Sequence, residues 1–333
     1  MTGRRAHGHS LLAAAVFIAG VSACSSGSSS GNSSGQGPEL THITVGALEI
    51  PDAVTLKIAQ QDGFFKQQGL TVSTIPIQAG GQAIPALLGH TMDFANLDYV
   101  STYVAENNTP ALQLHVVADD LQAAPGEWAI MVPKNSKITS PAELKGTTMA
   151  TPDPAGAISI GTLSTDALLN PYHLTLKNIT TVTTAFPNEP EALARGQVAS
   201  AFAVEPFVTI MEAAGGRALA DLMTGPMANL PISDYVAPGW FVQRYPRTVA
   251  AFQRAIVKAQ RIAASNTPLV RKLLPTYIQG LTPQIANVMA LGTFNTTLSL
   301  TRMQRVADLM EEFHELPANF NVKSMYYPLP SGT

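Results

Sequence analysis

From residue 41 onward, short β-branched runs alternate with apolar residues at helical spacing, an order that predicts an α/β fold with mostly parallel sheets. Ile43-Thr44-Val45 reads as the first strand. Asp52 stands where it can cap a helix carrying Val54, Leu56, Ile58 and Ala59 toward Phe64 and Phe65. Gly69 suits the left-handed residue that ends a helix, and residues 70–77 form the next strand. Gly80-Gly81 marks a turn, a helix runs to Gly89, and 92–96 and 114–118 continue the sheet. A second unit comes next, with strands expected at 128–132, 147–151, 180–184 and 200–204. Ser140-Pro141-Ala142-Glu143 carries a Ser cap, Pro at the first helical position and Glu at the third. Ala86-Leu87-Leu88-Gly89 before Phe94-Ala95 and Ala192-Leu193-Ala194-Arg195-Gly196 before Ala201-Phe202 read as one repeated unit: helix end, glycine, buried strand. Beyond Pro246 the pattern turns helical. Val249, Phe252, Ile256 and Ala259 mark one face, and 298–315 forms another amphipathic helix.

The first 37 residues fall outside this pattern. Arg4 and Arg5 precede an apolar run of 11 residues at 11–21, too short for the roughly 20 residues of a membrane span. Val21-Ser22-Ala23-Cys24 comes after it, and Cys24 is the only cysteine. Residues 1–23 therefore read as a secretory signal. The four residues resemble the bacterial lipobox, which implies a diacylglyceryl group on Cys24. Residues 25–37 contain only Ser, Gly, Asn and Gln; such a segment buries no apolar surface and reaches roughly 20 Å as a coil. The expected organisation is a lipidated cysteine and flexible linker over 24–40, tethering the α/β part of the chain to a membrane.

Composition narrows the function. The 333 residues are 46% hydrophobic and 13% charged, against roughly 25% charged in an ordinary domain. A disordered chain is excluded by the hydrophobic content, and a nucleic-acid partner by the absence of a basic excess. Loss of 1–23 removes two arginines and shifts the net charge from −3 to −5. A single cysteine excludes a disulfide framework and Cys-based zinc modules. His42, His90, His115, His173 and His314 show no metal-ligand spacing. No Walker loop or Rossmann glycine fingerprint occurs, and Ala157-Ile158-Ser159-Ile160-Gly161 lacks one glycine of a hydrolase elbow. No metal, organic cofactor or enzymatic activity is expected.

Four segments carry a resemblance. They are Gly63-Phe64-Phe65-Lys66-Gln67-Gln68-Gly69-Leu70; Ala86 to Gly89 with Met92-Asp93-Phe94-Ala95; Ile138-Thr139-Ser140-Pro141-Ala142-Glu143-Leu144-Lys145-Gly146; and Ala203-Val204-Glu205-Pro206-Phe207. In order and spacing they resemble the periplasmic-binding-protein family of ABC importers, in the branch for nitrate, sulfonate, taurine and thiamine precursors. The resemblance implies a type II fold of two doubly wound lobes joined by a hinge, here 41–125 plus 238–333 and 126–237, with ligand enclosed between them. It also implies a monomer on the extracytoplasmic face of the membrane, delivering its ligand to a permease with a separate ATPase subunit. A sensor that presents ligand to a membrane receptor stays open. So does an enzyme like the pyrimidine synthases of the same fold, which use a lysine-bound pyridoxal.

Ligands of open α/β sheets sit beyond the carboxyl ends of strands. Those ends hold Glu49, Asp52, Gly80, Gly81, Asn96, Asp98 and Tyr99, then Asp119 and Asp120. In the second lobe they hold Thr151, Asp153, Asn188, Glu189 and Glu205. Eight acids and no Lys or Arg gather there, although some, notably Asp52 and Glu189, suit helix caps. Pro154-Ala155-Gly156-Ala157 lacks the hydroxyls that sulfonate binders place at this turn; the first hydroxyl is Ser159, expected further into the helix. Trp128 and Trp240 lie beside the expected crossings, either as packing or as ligand contacts. The candidate ligand residues are Glu49, Asp52, Gly80, Gly81, Asn96, Asp98, Tyr99, Thr151, Asp153, Glu205, Trp128 and Trp240. The expected ligand is neutral or cationic and partly aromatic, such as a thiamine-precursor pyrimidine, with a sulfonate, taurine or nitrate as the alternative. If Cys24 is the anchor, Cys24→Ser should move the protein from the membrane fraction into the medium with ligand affinity unchanged; a variant that stays membrane-bound contradicts the anchor.

Overall fold

The alternating strand and helix patterns resolve into two five-stranded sheets. This computed structural model describes residues 37–333; the signal segment, Cys24 and linker residues up to 36 lie outside the described residues. The strands are β1 (His42–Leu48), β2 (Thr71–Ile77), β3 (Phe94–Asp98), β4 (His115–Asp119), β5 (Leu121–Gln122) and β6 (Trp128–Pro133). They continue with β7 (Thr148–Thr151), β8 (Thr180–Thr183), β9 (Ser200–Val204), β10 (Gly216–Asp221), β11 (Ser233–Ala237) and β12 (Thr293–Phe294). The first sheet runs β2-β1-β3-β11-β4 and the second β10-β6-β9-β7-β8, with β5 and β12 as a separate pair.

Taken from opposite ends, the two sheets have one topology. β2, β1 and β3 are parallel neighbours, as are β8, β7 and β9. In each sheet the fourth strand is antiparallel and enters just after the chain has crossed from the other sheet: β6 beside β9, β11 beside β3. The expectation of mostly parallel sheets holds in strand direction: β4 and β10 pair antiparallel with these entrants, so in each sheet four of the five strands run the same way. The expected return at 237/238 is corrected. β11 already belongs to the first sheet, so the chain crosses back between Asp221 and Ser233. Its entry is non-local, which is why the local pattern placed the return too late. The repeat read from Ala86–Gly89 and Ala192–Gly196 falls before β3 and β9, equivalent strands of the two sheets.

Local chemistry explains the helices beside the sheets. Ser140 Oγ accepts from Ala142 N at 3.3 Å, and Glu143 Oε2 accepts from Ser140 N at 3.1 Å, closing the expected capping box. The helix Pro246–Ser265 buries Val249, Phe252, Ile256 and Ala259, one face at helical spacing. Its N-terminus is satisfied from far away: the Glu39 carboxylate accepts from Arg247 N at 3.0 Å and Thr248 N at 2.7 Å. Leu40 N also donates to Thr248 Oγ1 at 3.0 Å. Glu39 and Leu40 therefore belong to the fold, which corrects the linker's expected end at residue 40. Among the described residues no helix is long and apolar enough to cross a membrane.

The first lobe closes on stacked aromatics. Phe252 lies on Phe94 with centroids 4.1 Å apart and planes at 13°, and its other neighbours are Phe65 and Tyr235, each at 5.6 Å. Phe65, like Phe64, is buried core. Because one ring joins the long helix to β3 and β11, Phe252→Ala leaves a cavity among three elements. Urea unfolding should show a loss of about 3–5 kcal/mol; a loss under about 1 kcal/mol would contradict this packing.

Candidate functional site

The carboxyl ends of β1, β2 and β3 face those of β7 and β9 across a cleft, so loops from both sheets wall one cavity. The first sheet supplies Leu48, Ile50 and Asp52, then Gln78, Ala79 and Gly80, then Asn96, Leu97 and Asp98. The second supplies Trp128, Pro152, Asp153, Ser159, Ile160, Gly161, Phe186 and Phe202. Three aspartates and three large aromatics line it, with no Lys, Arg or His. The space between these residues is about 40 Å³, room for a few waters at roughly 10–15 Å³ each. A half-open groove of about 530 Å³ adjoins it, sharing Ala79 and Asp153 and walled by Ile84, Pro85, Val104 and Ile158. A ring-sized ligand in the inner space requires the lobes to part.

One hydrogen bond crosses between them at the cavity itself. Asp98 ends β3 and caps its own helix, Tyr99–Asn108, through Ser101 N at 2.8 Å. The same oxygen, Oδ1, accepts from Ile160 N at 3.0 Å across the cleft. Gly80 lies against this carboxylate: a Cβ there would meet Ser101 Oγ at 2.8 Å and Asp98 Oδ2 at 3.2 Å. On the facing side, Ser159 Oγ donates to Asp153 Oδ2 at 2.6 Å and accepts from Gly161 N at 3.1 Å and Thr162 N at 3.2 Å. Ser159 is thus the N-cap of the helix Ile160–Leu169, not a residue inside it. Residues 154–157 are loop.

Of the expected ligand residues, Asp52, Gly80, Asn96, Asp98, Trp128 and Asp153 meet at the cavity, and Gly81 lines the adjoining groove. The others do not. Glu49 is exposed and absent from the lining. Tyr99 turns into the first lobe, fully buried against Tyr103, because it opens a helix whose inner face is core. Thr151 lies in the strand, its hydroxyl accepting from Asp153 N at 3.3 Å. Glu205 turns to the hinge: its carboxylate accepts from Thr209 N at 3.1 Å, Thr209 Oγ1 at 2.8 Å and Ala290 N at 3.0 Å. Trp240 stacks on His90 at 3.9 Å, with Nε1 donating to Leu87 O at 3.4 Å, away from the cleft.

Asp52 and Glu189 are not hydrogen-bonding helix caps either. Asp52 lies in a short 3-10 turn facing the cavity, and Glu189 is fully buried with both carboxyl oxygens unpartnered. Gln78, Pro152, Phe186 and Phe202 join the lining without having been expected there. Phe202 is an interior residue of β9 rather than a loop, and no signal beyond a buried strand marks it.

A search of curated protein sequences finds no match. The profile of the family described as NMT1/THI5 like matches residues 50–268. The chain belongs to the NMT1/THI5-like family. Among solved structures, this family member is similar to the alkanesulfonate-binding protein SsuA from Xanthomonas axonopodis pv. citri bound to MOPS. That match has 19% identity and a TM-score of 0.70, and covers 87% of this chain and 99% of that one. It is also similar to the periplasmic nitrate-binding protein NrtA from Synechocystis PCC 6803, at 14% identity and TM-score 0.69, covering 87% and 86%. A third similar structure is the desulfurization enzyme DSZB, at 15% identity and TM-score 0.61, covering 87% and 97%. These likenesses establish the two-lobed, type II periplasmic-binding-protein fold that the four sequence segments implied.

The acids of the cleft carry charge without a basic partner. Burial pushes Asp52 up to about 6, with Asp98 adding to the shift. Burial likewise pushes Asp153 up to about 6, against the Ser159 hydrogen bond and with Asp98 adding. Asp98 is raised by burial against its own backbone donors, and Glu189 is held well above the usual carboxylate range by burial and by Asp153. Between pH 7 and 5 the folded protein therefore takes up protons that unfolded aspartates, at 3.8, do not. Stability at these groups is present at low pH and is lost as pH rises through about 6, by on the order of 1 kcal/mol for each. Thermal unfolding at matched ionic strength should give a higher Tm at pH 5 than at pH 7. Asp153→Asn should shrink the difference; an unchanged difference in that variant contradicts the assignment.

Proposed function

We propose that the protein is an exported solute-binding protein, anchored through lipid on Cys24, that encloses a neutral or cationic small molecule between its lobes and delivers it to an ABC permease. The observation that carries this reading is the cleft lining: Asp52, Asp98 and Asp153 with Trp128, Phe186 and Phe202, and no basic side chain. Aromatic faces and carboxylates attract a cation or a protonated amine ring. A simple anion finds three acids and no countercharge there.

Closure then works as a population shift. The latch between Asp98 and Ile160 favours the closed form, and a ligand that touches both lobes favours it further. Glu127 and Glu205 keep the hinge in register, holding Gly292 N at 3.2 Å and Ala290 N at 3.0 Å on one segment of the first lobe. Residues 41–122 and 233–333 would then move as one body and 128–221 as the other. The lipid raises local concentration at the membrane without adding a contact.

An enzyme on this fold is the second reading, since one similar structure is a desulfurization enzyme. A pyridoxal-dependent reaction would need a lysine for the imine, and neither the cavity nor the groove is lined by one. The binding reading is therefore preferred.

A thermal-shift and calorimetric screen of aminopyrimidines and small amines against taurine, alkanesulfonates and nitrate tests the ligand class. At a concentration a hundred times its Kd, a true ligand stabilises by about 2.7 kcal/mol. The expected outcome is such a shift with an amine or pyrimidine only. Micromolar binding of taurine, an alkanesulfonate or nitrate would overturn the assignment.

A further inference from the structure

Helix Ile160–Leu169 starts at the cavity wall, and Ile160 and Gly161 both line it. The N-terminus of a helix attracts anions because its first N–H groups lack partners inside the helix. Here the chain uses all of them. Ile160 N donates to Asp98 Oδ1 at 3.0 Å, Gly161 N and Thr162 N donate to Ser159 Oγ at 3.1 and 3.2 Å, and Leu163 N donates to Ser159 O at 3.0 Å. The Ser159 proton is in turn committed to Asp153. The group on Ile160 N is itself a carboxylate, brought from the other lobe and half-buried.

We propose that Asp98 is a specificity-determining residue that excludes anions: on closure its carboxylate takes the place at this helix terminus that an oxyanion ligand would take. The proposal deepens, and rests on, the reading of the cleft as a site for neutral or cationic ligands. Asp98 repels an incoming anion and also occupies the N–H that would hold it. Two like charges about 4 Å apart in a partly buried site oppose each other strongly enough to change affinity by far more than tenfold. The loop reserves no second place for an oxyanion, since Ser159 and Asp153 complete the remaining bonds.

The test is a gain of function. Asp98→Ser removes the charge and the reach across the cleft, while serine still caps the Tyr99–Asn108 helix. Asp98→Asn keeps the shape and an accepting oxygen, and guards against misfolding of the serine variant. Methanesulfonate and nitrate are titrated calorimetrically into the wild type and both variants, with a protonated aminopyrimidine as the cationic probe. The expected result is at least about tenfold tighter methanesulfonate binding in Asp98→Ser than in the wild type, a smaller gain in Asp98→Asn, and weaker binding of the cationic probe in both. If the wild type rejects anions and neither folded variant gains any, the proposal for Asp98 fails and the ligand class stands. If the wild type itself binds methanesulfonate at micromolar concentration, the reading of the cleft fails first.

Discussion

A carboxylate buried without a countercharge has three outlets: it takes a proton, it accepts strong hydrogen bonds, or it waits for a cation from outside. The cleft of this protein depends on that constraint. Asp52, Asp98 and Asp153 converge from two sheets on a space that no Lys, Arg or His reaches. Asp98 uses hydrogen bonding, and its choice of donor joins the lobes. Asp153 leans on Ser159. Asp52, pushed up to about 6 by burial, is ready to take a proton or meet a cation. Elsewhere the same chain handles its acids differently. Asp119 pairs with Arg302 at 2.7 Å, and Asp120 accepts from Thr55 at 2.9 Å and Asn96 at 3.2 Å. Asp120, Glu127, Asp234 and Glu189 are buried without a basic partner too, so the shortage of countercharge extends from the cleft into the sheets behind it.

Much of the fold was legible because its signals are local. The face of Val249, Phe252, Ile256 and Ala259, the capping box at Ser140 and the strand at 200–204 each arise from residues within a few positions of one another. The misses share a non-local cause. β11 is an antiparallel strand that inserts between β3 and β4 after the chain returns from the other sheet, and nothing near residues 233–237 announces that partner. β10 has the sequence GRALAD, poor in β-branched residues, and is held by pairing with β6. Glu39 reads as the end of a polar tether until Arg247 and Thr248 supply donors from more than 200 positions away.

The site was legible in its chemistry more than in its membership. Looking beyond the strand ends found Asp52, Gly80, Asn96, Asp98 and Asp153, since topology alone brings those loops together. The same rule also collected Glu205, Tyr99 and Glu49, because it cannot tell a side chain aimed at the cleft from one aimed at the hinge, the core or solvent. Of the two tryptophans, Trp128 opens β6 and faces the cavity, whereas Trp240 comes after β11 and packs on His90. Their position beside a crossing was equal in sequence; the direction of the strand separated them. Phe186 and Phe202 supply apolar floor from positions that read as ordinary core.

The central claim is that this cleft selects against anions and for a neutral or cationic molecule. Native mass spectrometry of the protein purified from an exporting host, without added ligand, examines it most directly. The account predicts that any retained small molecule is an amine, a pyrimidine or another uncharged or cationic species, lost when Asp52 and Asp153 are changed to alanine. A retained sulfonate, sulfate or nitrate, present at stoichiometric occupancy in the wild type, would contradict it.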